Sequence, residues 1–292
     1  MKDRPDESMN KDLPQVVYTP ASQLRHPRQF FQGMWRDLLS SRELAWRLMV
    51  RDISAQYRQS FLGFFWAFVP PIATALIFVV LNSRRLINIG ETQIPYPAFA
   101  LFGTVLWQVF VDSLNAPLKV VTASKPMLAK INFPKEALIL SGLGQTLFGL
   151  SIKLLILIVV FIFYKIPVTS GIPLSLLAIL VLVLLGTTFG LLVTPIGVLF
   201  TDIAQGLTVV TGLWFFLTPV VYPPPTSFPF SLLAILNPVS PILVGARDLA
   251  TEGILHNPIP FYAITFLMFF VLIISWIVYR LAIPILVERM SA

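Results

Sequence analysis

The stretch RDISAQYRQSFLGFFWAFVPPIATALIFVVL, Arg51 to Leu81, carries Arg51, Asp52 and Arg58 up to the edge of an apolar run and sets Pro70 and Pro71 inside it. Residues 61–81 contain no charge, which is enough helix to cross a hydrocarbon core of ~30 Å. Working outward, comparable runs lie at 98–117, 137–163, 173–199, 207–222 and 261–283. The composition agrees. Charged residues are 12% of 292 and mean hydropathy is +0.81, leaving too little polar surface to cover a water-soluble globule. The expected fold is an all-α integral membrane protein of six spans.

Residues 1–60 show no leader pattern, so the first span is expected to stay as an anchor, behind a charged, extended tail over 1–20. Lys and Arg resist translocation. Ten lie in residues 1–60, four more at Lys119, Lys125, Lys130 and Lys135, and two at Arg280 and Arg289. The other side would hold only Arg84, Arg85, Lys165 and Arg247. Both termini are therefore expected in the cytoplasm, and this bias accounts for the net charge of +7 without a nucleic-acid partner.

Ser40 and Glu43 have the form of a capping box, predicting a helix from about Ser41. Along it Trp46, Met49, Val50, Ile53 and Tyr57 share one face, and Arg47, Arg51, Ser54 and Arg58 another. Such a segment, 41–60, lies along the interface with its apolar side in lipid and its arginines toward phosphates or a partner. Pro70 and Pro71 predict a kink or a late start in the first span.

The basic loop 118–136 can hold a short helix capped by Ser124, with Pro126 in its first turn, ending before Phe133 and Pro134. On its own residues it is an ordinary basic loop. The segment 223–260 strings short apolar pieces between prolines. It predicts two helices, near 231–236 and 241–252 with Gly253 as a stop, that dip into the outer leaflet and return as a gate or a folded cap.

Much chemistry is missing. There is no cysteine and no Gly-x-x-x-x-Gly-Lys-Ser/Thr loop, and the only histidines, His26 and His256, fall on opposite sides of the bilayer. No metal site, catalytic set or resident cofactor is expected, so any energy must come from another protein. Asp112 and Asp202 lie near cytoplasmic span ends, whereas Lys153 is well inside the third span, as a functional group or a snorkelling one. Aromatic residues concentrate in FLGFFWAF, LWQVF and LWFFL. Trp66, Phe68, Trp107, Trp214, Phe215 and Tyr222 suit either an interface belt and core or a path whose rings stack on sugars.

Arg51, Asp52, Tyr57, Arg58, Ser60, Leu62, Gly63, Trp66 and Pro70 together resemble the segment before the first span in membrane subunits of ABC-2-type polysaccharide exporters, with Gln56 where a basic residue is frequent. A second block, LTPVVYPPP followed by LNPVSPILVGARDLATEG, is similar to that family's segment before the last span, with Pro219, Tyr222, Asn237, Pro238 and Arg247 in place. The resemblance covers about 42–290.

It implies a homodimer in a bacterial inner membrane, each subunit bound to a separate nucleotide-binding ATPase that holds ATP and Mg. The cargo implied is a lipid-linked polysaccharide, O-antigen above all given the N-terminal extension over 1–40; alternatives are capsular polysaccharide, teichoic acid or a small hydrophobic molecule. It implies that Ser124, Lys125, Met127, Lys130, Phe133 and Pro134 belong to a helix coupling to the ATPase. Pro219, Asn237, Pro238 and Arg247 would belong to an exit gate. Arg47, Arg51, Tyr57 and Arg58 would meet the lipid's diphosphate. A proton-coupled transporter would instead need repeat symmetry and paired carboxylates, and a membrane glycosyltransferase an acidic metal cluster; neither is visible.

Overall fold

A computed structural model describes residues 27–58, 63–87, 89–128 and 130–291. The tail expected at 1–20, Ser60, Leu62 and the Tyr57 side chain lie outside the described residues. Those described form eleven helices and no strand: α1 Pro27–Ser40, α2 Arg42–Arg58, α3 Val69–Ser83, α4 Tyr96–Ala123, α5 Lys125–Leu128, α6 Glu136–Phe163, α7 Ile172–Leu199, α8 Asp202–Leu217, α9 Phe230–Leu236, α10 Val239–Thr251 and α11 Pro258–Ser291. Five helical stretches, Phe65–Ser83, Tyr96–Ala123, Glu136–Phe163, Ile172–Leu199 and Pro258–Leu286, are long and apolar enough to cross a membrane. The chain is a multi-pass membrane protein. The face carrying Pro27 and Ser291 is called the terminal face below, and the opposite one the distal face.

The fifth of the six expected spans differs. It occupies α8, sixteen residues, shifted toward the N-terminus of the expected 207–222. Asp202 opposes the positive end of the helix, so the polar residues before the apolar run supply its first turn. Thr218, just before Pro219, is extended with ψ 134°, which is where a residue preceding proline is driven. The capping box is also absent. The Ser40 hydroxyl donates back to the Asp37 carbonyl at 3.1 Å, so Ser40 closes α1, and α2 begins after a single break at Ser41.

Pro70 and Pro71 produce a late start: a 3₁₀ turn, Gly63–Ala67, leads into α3 with proline in its first turn. The Pro71 carbonyl receives the Thr104 hydroxyl at 3.1 Å, which supplies a partner from the neighbouring helix.

Helix α4 is the hub, packing on α3, α6 and α7. Gly186 and Gly190 let α7 approach it. A Cβ at Gly190 would come within 2.4 Å of the Leu114 carbonyl oxygen, the close backbone contact that small residues four apart allow in membranes. Gly103, seven residues from the distal end of α4, meets the chain that follows α8; a Cβ there would sit 1.9 Å from the Val220 carbonyl oxygen. Gly103→Ala is therefore expected to destabilise the subunit by about 1–3 kcal/mol or more. Gly206→Ala, with nothing within 4 Å, should not. Thermal unfolding in detergent checks this, and equal melting temperatures for both variants would contradict it.

Candidate functional site

Three clusters of the singled-out residues emerge. The first is on the terminal face. Helices α1 and α2 form a nearly continuous rod, and the sequence reading missed its first half. One side is buried through both helices: Phe30, Met34, Ser41, Ala45 and Leu48, with Met49 against Gly144 of α6. The expected lipid-facing set is thereby divided, since Met49 faces α6 while Trp46 and Val50 remain exposed beside Phe31, Trp35 and Leu39.

Of the rod's arginines, Arg47 pairs with Glu43 at 2.6 Å on an exposed surface, and Arg51 pairs with Asp52 at 2.7 Å. Arg58 is exposed in the last turn and has no acidic partner among the described residues. Asp52 also accepts from Gln145 of α6 at 3.1 Å, fixing that turn of the rod to the bundle.

Next to the rod lies the loop 118–136. Its helix is only α5, four residues, shorter than expected. The turn is closed by the Ser124 backbone carbonyl, which accepts from Leu128 at 2.9 Å, while the buried Ser124 hydroxyl has no partner among the described residues and does not cap. Lys125 donates to the Val198 carbonyl at the end of α7, 2.9 Å away. Lys130 is exposed; Met127, Phe133 and Pro134 are half-buried. Lys135 lies over the Phe133 ring at 4.9 Å, and burial pushes its ammonium below the ordinary lysine value.

At the far end of this loop Glu136 is buried and ion-paired with Arg280 of α11, whose other terminal nitrogen meets Asp37 of α1 at 2.6 Å. Arg280 thus joins three elements, and nothing in the spacing of the sequence announces it.

The second cluster is distal. Pro219, Asn237, Pro238 and Arg247 are brought together around the chain that leaves α8. Helices α9 and α10 meet at 89°, close to the two pieces expected at 231–236 and 241–252, and Gly253 follows with φ +78°. Asn237 sits at the corner. Its amide oxygen accepts from the Trp214 indole at 3.0 Å and from the Val239 amide at 3.1 Å, and its amide nitrogen donates to the Thr218 hydroxyl at 2.8 Å.

Arg247 is fully buried, its guanidinium 3.7 Å from the centre of the Phe99 ring and donating to the Val220 carbonyl at 3.2 Å. Asn237→Ala leaves two donors without their acceptor, each worth about 1–3 kcal/mol when buried. We expect a lowered melting temperature, and an unchanged one would show that water replaces the amide. A cavity of about 130 Å³ opens beside Arg247, lined also by Glu91, Phe99, Pro223, Asp248 and His256.

The third cluster is aromatic. Trp107 and Phe215 are buried and Trp214 half-buried, with Trp107 to Trp214 at 6.3 Å and Trp107 to Phe215 at 5.9 Å between ring centres. Tyr222 donates to the Phe216 carbonyl at 2.8 Å, and burial pushes its phenol upward. Trp66 is exposed, and Phe68 stands edge-on to Phe65 with ring centres 6.1 Å apart. Among the described residues no group of three His, Cys, Asp or Glu could hold a metal ion.

Comparison with known proteins adds the kinship. Residues 43–250 match the family described as ABC-2 type transporter. An O-antigen export system permease protein RfbA of Myxococcus xanthus is 28% identical over 233 residues, 78% of this chain and 88% of that protein. A protein of the same description from Klebsiella pneumoniae is 26% identical over 215 residues, 70% of this chain and 79% of that protein.

Proposed function

The chain belongs to the ABC-2 type transporter family, and from that premise we propose that it is the membrane subunit of an ATP-driven exporter of a lipid-linked polysaccharide, O-antigen on a polyprenyl diphosphate. The single observation that carries this reading is the likeness to two O-antigen export permeases over most of their length. The subunit works as a homodimer in the bacterial inner membrane, with the terminal face in the cytoplasm, and each copy binds a separate ATPase that holds ATP and Mg.

In this reading the parts have distinct tasks. The α2 arginines meet the diphosphate as the lipid arrives at the cytoplasmic leaflet. A guanidinium suits that group because its fork of donors matches phosphate oxygens. Arg58 supports the assignment because its guanidinium has no acidic partner among the described residues. The segment 124–135 docks on the ATPase. Lys125 at one end and Glu136 just after the other tie it to α7, α11 and α1, so a push on the loop is distributed to three helices. The distal corner at Asn237 and Arg247 serves as the exit gate.

Deleting the gene from its host tests the reading. The expected result is loss of surface polysaccharide with lipid-linked polysaccharide accumulating inside, restored by the intact gene. Undiminished surface polysaccharide would contradict it.

A further inference from the structure

Lys153 and Asp112 form an ion pair between α6 and α4. Lys153 lies seventeen residues above the terminal-face end of α6, and Asp112 eleven residues above that of α4. At 1.5 Å per residue these positions are about 25 and 17 Å into helices about 42 Å long, so the pair sits near mid-membrane, and Asp112 is deeper than the span end where the sequence placed it, because α4 continues to Ala123. The pair is asymmetric. The Lys153 side chain is 5% exposed and that of Asp112 is 40% exposed. A carboxylate half open to hydrocarbon at that depth is strongly disfavoured, so the open flank of Asp112 must meet water or a polar partner.

Asp112 is not alone on that flank. Thr104, Gln108, Asp112, Asn115 and Lys119 follow one another at helical spacing along α4 and form a polar ridge between positions that are otherwise largely buried. Thr104 touches α3 through the Pro71 carbonyl, and Asp112 touches α6 through Lys153, so the ridge runs in the angle between those two helices. Gln108 donates to Asp112 at 2.9 Å. The Asn115 amide nitrogen donates to the Val111 carbonyl at 2.8 Å, and its amide oxygen has no partner among the described residues. Toward the terminal face, Gln145 on α6 is bonded to Asp52, in the same helix as Arg51 and Arg58.

The chemistry of the ridge selects a ligand class. At Gln108, Asp112 and Asn115, Lys153 cancels the charge of the carboxylate and leaves it with two amides and no net charge, while the exposed Lys119 carries its charge at the terminal-face end of the ridge. Such a set offers acceptors and donors to adjacent hydroxyls and no attraction to a free anion. We infer that the α4 ridge of Gln108, Asp112 and Asn115 is a hydrated binding lane for the uncharged, hydroxyl-bearing sugar units of the exported chain. This rests on the exporter reading and locates a step within it: the diphosphate docks at α2, and the sugars behind it meet Asn115 and then Asp112. Lys153 is a positioning residue, holding the carboxylate in place along the ridge.

The chain has no cysteine, so single thiols can be introduced cleanly. Gln108→Cys and Asn115→Cys, in the assembled transporter in its own membrane, are treated with a water-soluble methanethiosulfonate, and Val159→Cys on the 63% exposed flank of α6 serves as the hydrocarbon control. In a strain blocked in polysaccharide synthesis, both ridge thiols should react at least about tenfold faster than the control, and polysaccharide synthesis should slow them about threefold or more. Reaction no faster than the control means a dry ridge and overturns the inference, as does equal reaction in both strains.

A second arm separates binding from packing. The double variant Lys153→Met, Asp112→Leu removes both charges and keeps an apolar contact. It should assemble in wild-type amount and lose export, while full export would reduce the pair to a clamp and overturn the inference. Failure of the exporter reading itself shows elsewhere, as surface polysaccharide that persists without the gene.

Discussion

Arg280→Ala should be the most damaging single truncation on the terminal face, lowering stability by about 3–5 kcal/mol. Arg280 is 17% exposed in its side chain and Glu136 only 3%, so removing the cation strands a carboxylate away from water. Asp37 loses its partner too, and the Phe30 ring of α1 loses the guanidinium that stands 5.7 Å from its centre. The loss therefore includes the docking of α1, and with it the position of α2.

A buried pair is not in itself stabilising against a good apolar substitute, because desolvation offsets much of the attraction. The double variant Arg280→Leu, Glu136→Leu should accordingly recover most of the loss. Thermal unfolding of the purified subunit reads both effects. A wild-type melting temperature in Arg280→Ala would mean that water already reaches Glu136.

Arg51→Glu and Arg58→Glu should each reduce export to background while leaving membrane insertion and the amount of subunit unchanged. Neither arginine is part of the core: Arg51 is half exposed and Arg58 exposed. Reversal at Arg58 adds an acid to a site that should receive an anion. Reversal at Arg51 sets a carboxylate beside Asp52, so the two repel each other and the incoming diphosphate. Arg47 is satisfied by Glu43 on an exposed turn, and its reversal should have the smallest effect of the three. Surface polysaccharide measured in a complemented deletion strain decides. Normal levels in the Arg51 and Arg58 variants would remove these residues from the mechanism.

Legibility followed the length scale of each signal. Long apolar runs are a property of composition over about 20 residues, so the crossings at 137–163 and 173–199 were readable almost to the residue. Proline and glycine act locally, and the pieces at 231–236 and 241–252 with their stop at Gly253 were readable for that reason. Helix ends decided by competing contacts were not. Ser40 bonds backward to Asp37 instead of forward, and Asp202 draws α8 earlier than its apolar run begins.

Least visible were pairings across the fold. Lys153 stood out as a buried charge, but its partner Asp112 lies 41 positions away, and Arg280 reaches Glu136 across 144. Helix α1 escaped because its apolar positions are short and interleaved with arginine, and only its packing makes one side of it a core. The kinship was legible because two ordered blocks of residue types, around Arg51–Pro70 and Pro219–Arg247, carry a pattern that composition alone does not express.

Transport in sealed vesicles tests the central claim most directly. The purified subunit is reconstituted with lipid-linked polysaccharide, with and without its ATPase partner and ATP, and the polysaccharide reaching the far leaflet is measured. Transfer is predicted only when partner and nucleotide are both present, and sustained transfer by this subunit alone would contradict the account.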